Sequence, residues 1–247
     1  MTDKPLADRI ALVTGASRGI GAAVALELAQ AGAHIVAVAR TAGGLEELDD
    51  KIKAAGGTAT LVPLDLRDSE GIARLAAALD ERYGKLDVLV GNAALGASNS
   101  PLDHFHPKEW DEVLGVNVTA NWHLIRFFNP LLQKSDAGRV VFITSGSATN
   151  ARPYRGLYGV SKAALDLMAR TYAAEIASTP IKVNLFNPGP TRTKMRAAVM
   201  PGEDPMTLPH PDEVAAAIVP LCLPNFKESG KLYDFRARKL LSFKPPE

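Results

Sequence analysis

The sequence predicts one α/β domain, a doubly wound parallel sheet with helices on both faces, and three observations carry that prediction. Short β-branched and aliphatic runs alternate with helix-period windows along the whole chain, and no Ser/Pro-rich linker or charge run interrupts them. The 247 residues, 47% of them hydrophobic, suffice for a sizeable core, and alternating α/β chains of this length commonly form one unit, here residues 1–247. The runs Ile10–Val13, His34–Ala39, Thr58–Pro63, Leu86–Val90, Arg139–Thr144 and Ile181–Phe186 are short and apolar throughout, as strands buried on both faces are. Between them Ile20–Ala31, Leu45–Ala54, Ser69–Tyr83, Pro107–Leu131 and Tyr158–Ser178 have helical spacing. Gly43-Gly44 and Gly56-Gly57 read as turns.

Past residue 190 the texture changes. Pro190, Pro201, Pro205, Pro209 and Pro211 argue against a long regular element, and Met195, Met200 and Met206 supply adaptable apolar surface. Because it follows what reads as the last parallel strand, the stretch 191–223 is expected to be a flap over a pocket, with a plain surface loop as the alternative.

Composition removes several function classes. Lys plus Arg number 28 against 27 Asp plus Glu, a net charge of +1, and no helix collects the basic residues that phosphate-backbone binding needs. No nucleic-acid partner is expected. The lone Cys222 has no partner for an internal disulfide and no sequence neighbour that would activate it. Met1–Arg9 is polar, and Gly19–Ala39 is broken by Glu27, Gln30 and His34, short of the roughly 18 apolar residues of a span. A cytoplasmic protein with no membrane association is expected. His104 and His106 lack metal-ligand partners at helical spacing, so no metal site is expected, and Trp110 and Trp122 read as helix-face anchors.

In parallel sheets of this kind ligands sit beyond the carboxyl ends of the strands, so chemistry should follow each strand directly. The first runs into Thr14-Gly15-Ala16-Ser17-Arg18-Gly19-Ile20-Gly21 and then a helix. Glycines at 15, 19 and 21 allow a tight turn and close approach of backbone to phosphate, while the helix N-terminus offers free N–H groups. This is the arrangement of a dinucleotide pyrophosphate cradle, expected to involve Gly15, Ser17, Arg18, Gly19, Ile20 and Gly21.

The Gly-x3-Gly-x-Gly spacing resembles that of the short-chain dehydrogenase/reductase family, a Rossmann-like fold, and the later motifs follow the family order from Ala7 to about Asp234. The resemblance implies that Asp65, with Leu66 beside it, meets the adenine and that Asn92 and Ala93, in Gly91-Asn92-Ala93-Ala94, touch the adenine ribose and steady the sheet. The family motif reads Asn-Asn-Ala-Gly, so this chain departs at its first and last positions. Asn117 matches the family's catalytic-site asparagine and would place a water that relays protons to Lys162. Asparagine also competes for backbone hydrogen bonds, which suggests a local kink in the helix around it.

Ser145 precedes Tyr158 by thirteen residues, and Tyr158-Gly159-Val160-Ser161-Lys162 opens a helix. Positions i and i+4 share a helix face, so Lys162 is expected beside the Tyr158 phenol, lowering its pKa toward the working range of a general acid. By the resemblance Tyr158 gives a proton to a carbonyl oxygen that Ser145 holds, and Lys162 also grips the nicotinamide ribose. Ser147 is the competitor that the family spacing rejects. Pro188, Gly189, Thr191 and Thr193 resemble the family's Pro-Gly-x3-Thr, which meets the nicotinamide carboxamide. Thr191–Ala197 with Glu203–Pro205 is similar to a YciK-like bacterial subgroup.

The expected activity is hydride transfer between NADP(H) and a small-molecule carbonyl or alcohol substrate. The second strand ends in Ala39-Arg40, where NAD-preferring members carry a carboxylate, so NADP(H) is preferred and NAD(H) possible, with Arg40 and Arg18 facing the 2′-phosphate. The apolar Leu95, Pro153, Met195, Val199 and Met200 suggest a medium-sized, mostly apolar substrate. Two rivals remain: a catalytically idle dinucleotide-binding or sensing protein, and a lyase or isomerase of the same fold. Trp122, Phe127, Phe128, Leu165, Met168 and Tyr172 give two helices surplus apolar surface, from which a homodimer or homotetramer is expected, the choice between them turning on the tail Arg236–Glu247.

Overall fold

In the computed structural model, which describes residues 4–243, the strands form one eight-stranded sheet. In chain order the elements are β1 (Ile10–Thr14), α1 (Gly19–Gln30), β2 (His34–Ala39), α2 (Ala42–Ala54), β3 (Thr58–Pro63), α3 (Ser69–Tyr83), β4 (Val88–Gly91), α4 (Pro107–Leu114), α5 (Ala120–Gln133), β5 (Arg139–Ile143), α6 (Gly156–Glu175), β6 (Lys182–Asn187), α7 (Lys194–Val199), α8 (Pro211–Cys222), β7 (Lys231–Asp234) and β8 (Lys239–Ser242). The strand order is β3-β2-β1-β4-β5-β6-β7-β8. All neighbours pair in parallel except β7 and β8, which are antiparallel. The order reverses between β1 and β4, which opens a crevice at the carboxyl ends there.

Alternate residues of each central strand face opposite cores. Ile35 and Ala37 pack with α1, α2 and α8, whereas Val36 and Val38 pack with α3, α5 and α6. Both faces are therefore covered, which is why β1 and β2 read as continuous apolar runs. Among the described residues no helix is long and apolar enough to cross a membrane, and no group of three metal-ligating side chains converges.

Four departures from the sequence reading have clear causes. The window Pro107–Leu131 is not one regular helix: a π-helical turn at Gly115–Thr119 separates α4 from α5. Gly43 and Gly44 lie in the first turn of α2 rather than in a turn between elements, and a Cβ on Gly44 would come within 2.8 Å of the Ser17 Cβ, so this glycine lets α2 back the glycine loop. The prolines near 210 delimit a helix instead of forbidding one: Pro211 is the first residue of α8, and the Glu213 carboxylate accepts from the His210 N–H at 2.8 Å. Val214, Ala215, Ile218, Leu221 and Cys222 then bury against α1, so the second half of the expected 191–223 flap is core. Finally, β6 is not the last parallel strand. β7 was hidden because it is only four half-buried residues, and β8 because all four of its residues are exposed. Their existence rests on pairing, helped by the turn in which Asp234 Oδ1 accepts from the Ala237 N–H at 2.9 Å.

At the opposite end of the sheet, the buried Asp87 ties three segments together. Its carboxylate accepts from the Ile10 N–H at 2.9 Å, Ser135 Oγ at 2.6 Å and Arg9 Nη1 at 2.9 Å, with Lys85 Nζ at 3.0 Å. Burial alone would raise its pKa, but these donors outweigh it and the net direction is down. Asp87→Ala should cost about 3–5 kcal/mol in urea unfolding, because it leaves buried donors and Arg9 without their acceptor. A carboxylate with a lowered folded pKa gives stability that is complete above its unfolded value and lost as pH falls through the folded one. The variant should accordingly lose less stability than the wild type on acidification.

Candidate active site

The turn after β1 is built to hold an anion against backbone. Gly15 and Gly19 have φ of +66° and +60°, the left-handed region that favours glycine. A Cβ at Gly15 would lie 2.8 Å from Asn92 Nδ2, and one at Gly21 only 2.4 Å from both that atom and the Gly15 carbonyl oxygen. α1 begins without a side-chain cap and with no acidic residue in its first turn, so its N–H groups and the positive end of its dipole stay available. These observations fit the pyrophosphate of a dinucleotide. Ser17, Arg18 and Ile20 border the same turn, with Arg18 exposed.

Asn92 holds this turn to β4. Its Nδ2 donates to the Thr14 carbonyl at 2.8 Å, and its own N–H and that of Ala93 donate to Thr14 Oγ1 at 3.0 and 3.1 Å. Arg40 is exposed at the end of β2, and its charge reaches Asp65. Asp65 itself is gripped by Arg67, whose Nη2 lies 2.7 Å from Oδ2, and that pairing holds its carboxyl below the usual range. Leu66 is buried in the core, which leaves only its backbone for any ligand.

Ser145 lies two residues beyond the end of β5, and its hydroxyl accepts from the Ser147 N–H at 3.1 Å. Across from it, α6 carries Tyr158 and Lys162 one turn apart, with Lys162 Nζ 5.8 Å from the centre of the tyrosine ring. Lys162 is 2% exposed and donates to the Ile143 carbonyl at 2.8 Å. Burial pushes its pKa down to about 8, although the nearby Asp166 pulls the other way. The expectation that Lys162 lowers the Tyr158 pKa does not hold: burial dominates and raises it, with Ser145 and the guanidinium of Arg155 acting in opposition.

Asn117 lies within the π turn and is fully buried. Its side chain is spent on structure, accepting from the Leu95 N–H at 2.8 Å and donating to the Leu95 carbonyl at 3.0 Å and to Ser161 Oγ at 2.9 Å. Its carbonyl accepts from Asn121 Nδ2 at 2.9 Å. The asparagine thereby joins the loop after β4 to α6, and the kink expected from its mid-helix position is present as a π turn.

The loop after β6 completes the crevice. Gly189 has φ +64°, Pro188 and Thr191 are buried, and Thr191 Oγ1 donates to the Gly189 carbonyl at 3.3 Å. Thr193 caps α7 by accepting from the Arg196 N–H at 3.1 Å, and its methyl lies 3.4 Å from the Cβ position of Gly19. Met195 and Val199 of α7 face Gly96, and Asn99 Nδ2 donates to the Val199 carbonyl at 3.1 Å. Residues 191–200 therefore lie across the opening between the glycine loop and the loop after β4.

Several residues of the site escaped the sequence reading. Asn187 Oδ1 accepts from the N–H groups of Gly146 and Gly189, both at 3.1 Å, and so spaces the serine loop from the Pro-Gly loop. Asp166 accepts from Thr144 Oγ1, and Arg155 Nη1 donates to Asn99 Oδ1 at 3.2 Å. Asp166 alone had a visible signal, its i+4 spacing from Lys162. Cys222 is inert by burial, which pushes its thiol up to about 12.

Comparison with known proteins shows the family and the fold. A sequence model of the short chain dehydrogenases matches residues 9–204. The oxidoreductase YciK of Escherichia coli (strain K12) is 38% identical over 221 residues, 88% of this chain and 86% of that protein. The 0.95 Å structure of yciK from E. coli superposes with a TM-score of 0.88 at 34% identity, covering 95% of this chain and 97% of that one. A short chain dehydrogenase from Escherichia coli CFT073 complexed with NADPH gives a TM-score of 0.87 at 34% identity over 95% and 99% of the two chains. From its glycine loop to its Tyr158–Lys162 pair, the chain belongs to the short-chain dehydrogenase family of oxidoreductases.

Proposed function

We propose that this oxidoreductase reduces a ketone or aldehyde with NADPH, and catalyses the reverse oxidation of the alcohol. The observation that carries the proposal is the convergence of Ser145, Tyr158 and Lys162 beside the glycine cradle. A reduced nicotinamide supplies hydride to the carbonyl carbon; the rest is work for side chains. Ser145 donates a hydrogen bond to the carbonyl oxygen, and Tyr158 gives it a proton. A phenol whose pKa is raised by burial is fully protonated at neutral pH, which suits the donor role in reduction. Lys162, with a pKa of about 8, holds a proton it can yield to the phenolate left behind. Asn117 contributes by fixing the α6 N-terminus against the loop after β4.

In this reading Gly15, Ser17, Arg18, Gly19, Ile20 and Gly21 receive the pyrophosphate; Asp65, the Leu66 backbone, Asn92 and Ala93 line the adenosine; Lys162 holds the nicotinamide ribose; and Pro188, Gly189, Thr191 and Thr193 meet the carboxamide. The NADP(H) preference rests on Ala39, which presents no carboxylate to repel a 2′-phosphate, and on the exposed Arg40 and Arg18. The NADPH-complexed E. coli relative supports it. Residues 191–210 act as the flap, with Met195 and Val199 as its apolar underside. The expected dimer or tetramer needs a revised surface, since Phe128, Leu165 and Tyr172 are buried in this chain's own core. Trp122, Val160 and Leu167, 45%, 43% and 61% exposed on α5 and α6, are the proposed contact instead. Residues 244–247 of the tail lie outside the described residues.

Tyr158→Phe should leave NADPH affinity nearly intact, measured by cofactor fluorescence, while carbonyl-dependent NADPH oxidation falls at least about 10²-fold. Retained turnover in the folded variant would remove Tyr158 from the role, and NADPH oxidation with none of a broad carbonyl panel would favour the idle binding protein. The ratio of kcat/KM for NADPH over NADH should exceed one and collapse in Arg40→Ala combined with Arg18→Ala; an unchanged ratio would show that these arginines do not read the phosphate. Sedimentation at micromolar concentration should give a dimer or tetramer, and Leu167→Asp should weaken it.

A further inference from the structure

The segments that frame the crevice around Tyr158 are lopsided in charge. Residues 92–102, after β4, carry none; residues 146–157 carry Arg152 and Arg155; residues 188–202 carry Arg192, Lys194 and Arg196. These segments therefore hold cations and no carboxylate, in a chain whose net charge is only +1. Most of the basic side chains and the nearby acids are accounted for. Glu203 neutralises Arg196, its oxygens 2.5 and 2.6 Å from Nε and Nη2, and Glu109 accepts from the Ser98 N–H and Oγ at 2.8 and 3.0 Å. Arg192 Nη2 donates to the Leu208 carbonyl at 3.2 Å, while Arg152 and Lys194 are exposed to water. Arg155 is different: it is half-buried, and no carboxylate is among the charges that act on it.

We propose that Arg155 is the substrate anchor of this oxidoreductase and that the substrate is an oxo acid. The carboxylate of such an aldehyde or ketone pairs with the Arg155 guanidinium while its carbonyl meets Ser145 and Tyr158. The inference rests on the reductase reading above and names the substrate class for that same site. Hydride still goes to the carbonyl carbon and the Tyr158 proton to the carbonyl oxygen. The carboxylate gains and loses nothing; it fixes which end of the molecule enters first.

Three walls of the crevice meet at Arg155. It is the residue before α6, one helical turn ahead of Tyr158, a rise of about 5 Å. Its Nη1 donates to Asn99 Oδ1 at 3.2 Å, and Asn99 Nδ2 donates to the Val199 carbonyl at 3.1 Å, so one amide joins the guanidinium to the loop after β4 and to α7. The backbone holds this arrangement in place. Residues Ser100 and Arg155 form a parallel bridge, the Ser100 N–H donates to the Tyr154 carbonyl at 3.1 Å, and a Cβ on Gly156 would come within 2.7 Å of Leu102 Cδ1. A positioned guanidinium loses little freedom when it binds. The single neutral amide oxygen engages one of its five N–H donors, which leaves a fork for a carboxylate. Burial first, and then the charge of Arg196, hold the Arg155 pKa below its usual value. A cation partly withdrawn from water, beside like charge and without a counter-ion, is one that an arriving anion relieves. Met195 and Val199 line the same crevice, each 3.5 Å from the Cβ position of Gly96, and offer hydrocarbon to the stretch between carbonyl and carboxylate. The mostly apolar substrate expected from the sequence thereby acquires a charged end.

The test uses aldehydes paired so that only the charge differs: 4-carboxybenzaldehyde beside methyl 4-formylbenzoate, and ω-oxo acids of about four to eight carbons beside their methyl esters, all with NADPH. In at least one pair the wild type should prefer the acid by about tenfold or more in kcat/KM. Arg155→Ala should lower that acid-to-ester ratio by about tenfold or more, chiefly through the KM of the acid, and Arg155→Lys, which keeps the charge, should retain most of it. A variant that merely disturbed the start of α6 would slow acid and ester alike; an unmoved ratio therefore overturns the anchor. So does a wild type that treats acid and ester equally, or prefers the ester, in every pair. Loss of NADPH affinity by about tenfold in Arg155→Ala, measured by cofactor fluorescence, would assign the guanidinium to the cofactor and overturn the proposal as well. A wild type that reduces neither acids nor esters strikes the reductase reading itself, so the two failures are distinct.

Discussion

The Thr14–Asn92 contact is the constraint on which the candidate site depends. β1 and β4 are neighbours at the point where the strand order reverses, so their carboxyl ends must diverge into loops running to opposite sides. Thr14 takes part in four hydrogen bonds there: it accepts two from Asn92 and one from the Ala93 N–H, and its Oγ1 donates to the Val90 carbonyl. The glycine loop can be stripped of side chains only because this staple fixes its backbone. Gly21 then packs so close to Asn92 that neither can change size without moving the turn.

The central sheet was plain in the sequence because burial on both faces leaves unbroken aliphatic runs in β1 and β2, and because helices such as α3 carry their own signals, from the Asp68 cap to the left-handed Gly84. The glycine-loop spacing and the motifs after it pointed to the family that the match over residues 9–204 bears out. What escaped was structure decided by distant partners. β8 is exposed throughout and has no periodicity of its own; it is a strand because β7 lies beside it. α8 was masked by prolines whose positional meaning depends on where the helix begins. The sense of the Tyr158 shift could not be read from the i+4 lysine, since desolvation is a property of the packed environment and here exceeds the effect of nearby charge.

Lys162 and Asp166, one turn apart on α6, show how the same burial that suppresses charge also tunes it. Removed from water, Lys162 gives up its proton more readily and Asp166 holds one more firmly, so two groups normally far apart in acidity approach one another. A helix is well suited to this because successive turns hold such groups at fixed separation without a loop between them.

The π turn at Gly115–Thr119 has a consequence for the architecture of the whole upper half. One extra residue in a helical turn advances the following segment by about 100° relative to an uninterrupted winding. Trp110, Val113 and Leu114 of α4 consequently pack with Leu157, while Leu124, Phe128 and Leu131 of α5 turn into the large core beneath the sheet. A single rod thus changes phase midway and serves two separate apolar clusters, like a crankshaft whose throws are offset, and the buried Asn117 sits on the journal between them.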